Sequence, residues 1–67
     1  MTVAKVSEIT STSSKSFNDA IDKGIKRASK TLKNITGAWI ADQEVEIENG
    51  KVKTYRVRMR VTFVLEG

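Results

Sequence analysis

Residues 52–65 read VKTYRVRMRVTFVL. Tyr55, Val57, Met59, Val61, Phe63 and Leu65 take the odd positions, and Arg56, Arg58, Arg60 and Thr62 the even ones. A period of two held this long marks a strand with one apolar and one polar face. Just upstream, Asn49-Gly50 is a hairpin-turn pair, because both residues tolerate the positive φ that a tight turn demands. Before it, residues 38–48 read AWIADQEVEIE. Trp39, Ala41, Gln43, Val45 and Ile47 alternate there with Asp42, Glu44, Glu46 and Glu48, which predicts the hairpin's other arm. A plain two-residue turn would set Trp39 beside Arg60 and Gln43 beside Arg56, with acidic Glu44 beside Tyr55 on the apolar face. A one-residue shift at a bulge instead gathers the odd positions and lines Asp42, Glu44 and Glu46 against Arg56 and Arg58. The shifted register is expected near the turn. A bulge farther along would swing Trp39 to the other face.

Working outward, residues 16–34 carry the helical pattern: Phe17, Ala20, Ile21, Gly24, Ile25, Ala28 and Leu32, with Ile35 beyond, recur at i, i+3/i+4. Ser16 followed by Asp19 resembles a capping box with Asp in place of Glu, and Ser13 and Ser14 are rival caps. Gly24 lies on the apolar stripe, where it costs roughly 1 kcal/mol against alanine. A close approach to a strand is the expected compensation. The helix is expected to stop between Asn34 and Gly37. Residues 3–9, VAKVSEI, suit a short strand, and residues 10–16, TSTSSKS, a turn or loop. The fold class is therefore α+β: a single β-α-β-β domain over residues 1–67, with one helix on a three-stranded antiparallel sheet.

Composition narrows the function. A chain of 67 residues buries a modest core and needs a staple. It has no cysteine, which removes disulfides and thiolate chemistry, and no histidine, which removes the commonest metal ligand and general base. Oligomerisation is the staple that remains. The net charge of +4 permits phosphate contacts and serves solubility equally well. No apolar run approaches the roughly 20 residues of a membrane span. Residues 1–9 lack the apolar core of a signal peptide, so a cytoplasmic location is expected.

Four features could carry chemistry. Arg56, Arg58 and Arg60 form a row that reads as a cross-strand charge face or as a phosphate contact, but one tryptophan and one tyrosine among acids make a poor nucleic-acid platform. Trp39, beside the small Gly37 and Ala38, could stack on another flat aromatic. Asp42, Glu44, Glu46 and Glu48 alternate about 7 Å apart on an extended strand, too spread for one cation cage unless subunits bring them together. No catalytic constellation, Walker A or GxGxxG pattern occurs, and no enzymatic activity is expected.

Taken in order, three stretches resemble the dodecins. They are Lys5-Val6-Ser7-Glu8-Ile9 with the following Thr10 to Ser14, the helix from Ser16 to Asn34, and the ending from Tyr55 to Glu66. The resemblance implies a β-α-β-β protomer whose sheet wraps its helix, assembled as a hollow homododecamer; with no apolar span in the sequence, no membrane partner is expected. It implies a cofactor, a flavin such as riboflavin or FMN. By the same resemblance the flavin would be bound in pairs between subunits, stacked on tryptophan and hydrogen-bonded at its edge by glutamine, for storage and quenching. At the usual tryptophan position this chain has Gly37, with Trp39 two residues later, and at the usual glutamine position it has Arg56. The expected flavin-contacting set is Trp39 as stacking platform, Arg56 as edge donor, Gly37 and Gln43. The alternative is a dodecameric shell without flavin, structural or holding a hard cation such as calcium or magnesium on Asp and Glu. A third reading is weak polyanion binding by the arginine row.

Overall fold

The computed structural model describes residues 2–65; Met1, Glu66 and Gly67, and with Glu66 the end of the dodecin-like stretch, lie outside them. The element order is β1 (Val3–Ser13), α1 (Phe17–Ala28), β2 (Ile35–Glu48) and β3 (Lys51–Leu65). The strands make one antiparallel sheet in the order β1-β3-β2, so the alternating segment quoted above is the central strand. Its odd positions point at the helix: Val57, Met59 and Val61 are each 0% exposed and, with Ala20, form the core. Ile9, Phe17, Ile21, Ile25 and Ile35 pack around them. Phe17 meets Tyr55 edge-on, with ring centres 5.1 Å apart.

The helix start is as the sequence indicates. The Ser16 hydroxyl accepts from the Asp19 backbone N–H at 2.9 Å. Buried Ser13 donates to the Asp19 carboxylate at 2.5 Å and accepts from the Lys15 N–H, tying the end of β1 to the first turn of α1. Gly24 makes the expected close approach. A Cβ there would sit 2.8 Å from the Met59 methyl and 3.0 Å from the Ser11 Cβ.

Three boundaries differ from expectation, the first being the start of β2, which lies at Ile35 and not at Ala38. β1 runs on through Thr10–Ser13, where a loop is expected, because every residue from Val3 to Ser13 has a partner on β3 and tertiary pairing overrides the turn-rich composition. The helix ends at Ala28, not near Asn34. Its last bonds tighten to i→i−3, from the Lys30 and Thr31 amides to Arg27 and Ala28, and the Ser29 and Thr31 hydroxyls bond the carbonyls of Ile25 and Ala28. Leu32 and Ile35 keep the apolar rhythm but sit in the exit turn and in β2. Asn34, at φ +62°, turns the chain.

α1 packs on β1 and β3. Its 12 residues span about 18 Å, against about 50 Å for the 15 residues of β3. The described chain is accordingly 52 Å long and 13 Å thick. Its Cα radius of gyration, 13.8 Å, exceeds the roughly 11 Å of a compact 67-residue domain. The β2–β3 hairpin extends beyond the helix and leaves Ile40, Ile47 and Val52 exposed.

Candidate functional site

The hairpin turn has the geometry its residues suggest: Asn49 at φ +53° and Gly50 at φ +75°. From there the register moves three times. It shifts between Glu46 and Ile47, again between Ile40 and Asp42, and again between Ile35 and Gly37. The first shift produces the register expected near the turn, pairing Val45 with Tyr55, Glu44 with Arg56, Gln43 with Val57 and Asp42 with Arg58. The second leaves Ala41 unpaired and reverses the faces, so that Trp39 lies opposite Arg60 and Gly37 opposite Thr62. Trp39 thus joins the arginine face, away from the helix.

That outer face is a charge ladder across all three strands. Arg56 donates to Glu44 at 2.8 Å and to Glu46. These hydrogen bonds, Glu44's first, hold the Arg56 guanidinium charged more firmly than usual. Arg58 donates to Asp42 at 3.2 Å, and Arg60 to Glu8 on β1 at 3.2 Å. Asp42, Glu44 and Glu46 are therefore engaged by arginines, and Glu48 by Lys53 at 2.8 Å. Among the described residues no group of three or more carboxylates is arranged to hold a metal ion.

Trp39 is the aromatic of this face. The residue is 46% exposed, and the Arg60 guanidinium lies 5.9 Å from the ring centre, in cation–π range. Beside it, nothing lies within 4 Å of where a Gly37 Cβ would point. The result is an exposed indole with open ground next to it and a cation at one side.

Of the expected set, Trp39, Gly37 and Arg56 share the outer face, but Arg56 lies four residues from Arg60, about 13 Å along β3. Gln43 pairs with buried Val57 and so lies on the helix-side face, opposite to Trp39. The arginine that the structure does place beside Trp39 is Arg60. The plain two-residue register already put it beside Trp39; what sequence could not supply was the position of the second bulge.

A family model described as Dodecin matches residues 3–66, and the chain belongs to the dodecin family. Members of that family are small non-catalytic binding proteins. The calcium dodecin of Mycobacterium tuberculosis is 30% identical over 63 residues, covering 94% of this chain and 89% of the relative. Its crystal structure, described as a calcium-chelating antigen with a novel calcium-binding site, superposes with a TM-score of 0.82 at 31% identity over 96% of this chain and 91% of that one. An arginine-to-alanine variant of the Thermus thermophilus dodecin is similar at 31% identity and TM-score 0.95 over 100% of both chains. The Streptomyces davaonensis dodecin gives 30% and 0.93 over 98% of this chain and 97% of that one. No helix among the described residues is long and apolar enough to cross a membrane.

Proposed function

We propose that this dodecin is a non-enzymatic flavin-binding and storage protein, a hollow cytoplasmic homododecamer that takes riboflavin, FMN or a related flavin between its subunits. The observation that carries the reading is the pairing of an exposed Trp39 with the empty ground at Gly37 on one sheet face. An isoalloxazine ring is flat and aromatic, and an exposed indole is the side chain best suited to stack on it. The missing Cβ at Gly37 leaves room for the ring to extend along β2. A flavin bound there supplies a photoexcitable ring, and the indole deactivates it by electron transfer.

Arg60 lies beside Trp39, so within one protomer edge donation to a flavin carbonyl falls to Arg60 first. Arg56 contributes where a neighbouring copy brings its strand alongside. Each of these arginines already holds carboxylates, Arg56 those of Glu44 and Glu46 and Arg60 that of Glu8, so a flavin carbonyl shares the guanidinium with them. Gln43, on the helix-side face, serves a flavin only from another subunit. A calcium-holding shell is the second reading, favoured by the match to the calcium dodecin. In this chain a cation would need carboxylates from several copies, since Glu8, Asp42, Glu44 and Glu46 of one protomer are held by arginines and Glu48 by Lys53.

Titration of riboflavin, and separately of FMN, into the assembled protein tests the reading. Saturable quenching of flavin fluorescence, lost in Trp39→Ala, is the expected result. No quenching by an intact assembly contradicts it, and a chelator-sensitive melting temperature in that case supports the calcium shell.

A further inference from the structure

A concave site lies on the other side of the sheet from Trp39, and the flavin reading does not use it. Between α1 and β1 runs a groove of about 420 Å³, within the roughly 300–1,000 Å³ typical of small-molecule sites. Its floor is apolar, made by Ile9, Gly24, Ala28 and Leu32. The close packing of Gly24 on Ser11 and Met59 brings helix and strand together at its base.

The polar lining is of one electrostatic kind. Lys23 and Arg27 sit one helical turn apart on the same face, and no carboxylate lines the groove. Lys23 shares its charge with Asp19 at 3.1 Å. Arg27 has no carboxylate partner among the described residues, although the arginines of the outer face are all paired. Ser7 and Ser11 also line the groove, half-buried, and neither hydroxyl bonds another described residue. An unpaired guanidinium, an ammonium and two free hydroxyls offer more donors than a carboxylate has acceptor sites. A phosphomonoester has three terminal oxygens and a charge near −2, and it matches that supply.

We propose that the groove between α1 and β1 binds a phosphomonoester carried on a short apolar body, the phosphate on Arg27 and Lys23 and the body along Ile9 and Leu32. The site is independent of Trp39, which lies on the opposite face.

Calorimetric titration of hexyl phosphate into the assembled protein is the test, with inorganic phosphate, hexanoate and hexanol as parallel probes. Hexyl phosphate is expected to bind tightest. Arg27→Gln is expected to weaken it roughly tenfold or more, as befits loss of a charge-assisted hydrogen bond, and Arg27→Lys to restore part of the loss. Saturating riboflavin should leave the affinity unchanged, whether or not riboflavin itself binds. The proposal is overturned by an absence of hexyl phosphate binding, by an affinity that Arg27→Gln does not alter, or by displacement with riboflavin. Equal binding of inorganic phosphate or of hexanoate also overturns it, since the first removes the apolar wall and the second the phosphate from the recognition.

Discussion

On one side of the central strand, β1 pairs with β3 from Val3–Leu65 to Ser13–Tyr55 without a register shift, and α1 lies over the pair. On the other side, β2 changes register three times against the same strand, and only Ile35 and Val45 of its residues are even half-buried. The regular ladder lets alternate residues of β3 pack continuously against the helix, and the protomer's core is there. The irregular ladder re-aims side chains at each bulge. It brings Trp39 onto the charged face and leaves apolar residues such as Ile47, 65% exposed, without cover in the protomer. One half of the sheet is completed by its own helix. The other presents both a candidate ligand surface and the apolar area that assembly would bury.

The largest loss of stability is expected at the centre of the helix-covered half. Met59 is fully buried, and Met59→Ala should cost about 2–5 kcal/mol, read as a lowered unfolding midpoint. Gly24→Ala comes next. The added methyl meets Met59 and Ser11, and a net cost of up to about 2 kcal/mol is expected once the better helix propensity of alanine is counted. A Gly24→Ala variant stabilised by the full propensity gain of about 1 kcal/mol would mean that the helix and sheet are not in tight contact there.

A pH profile sharpens the same region. The Ser13 hydroxyl bond, then the Lys23 bond, lowers the Asp19 pKa below its ordinary value. A carboxylate depressed in the folded state contributes stability above its unfolded pKa, and that contribution disappears as pH falls through the folded value. Wild-type stability should therefore decline below about pH 4, and Asp19→Asn should flatten that part of the curve. The smallest effect belongs to the open half. Arg58 is an exposed ladder member, and Arg58→Ala should cost less than about 1 kcal/mol, diminishing with added salt.

What sequence could show follows from how local each cause is. The alternation of β3, the Asn49-Gly50 turn and the Ser16 cap are each legible because a few neighbouring residues determine them, and the Gly24 contact because a glycine on an apolar helix stripe signals a close neighbour. The helix end is less so. The apolar rhythm passes through Leu32 to Ile35 without a break, and the Ser29 and Thr31 hydroxyls that help end the helix resemble ordinary solvent-facing residues. β1 is longer than its composition suggests because β3 supplies the pairing. At the site, the arginine–acid ladder could be anticipated from the shifted register. The grouping of Trp39 with Arg60, apart from Gln43, depends on a bulge at Ala41, and nothing in the string IAD fixes a bulge there rather than a residue away.

The central claim is that the uncovered half of this sheet is finished by other copies of the chain. Light scattering coupled to gel filtration tests it directly, run on the ligand-free protein at micromolar and lower concentration. The account predicts one closed species of about twelve times the 7.4 kDa protomer that persists on dilution. A folded, helical monomer at 7.4 kDa would contradict it, because the exposed apolar hairpin would then be stable in water with nothing packed against it.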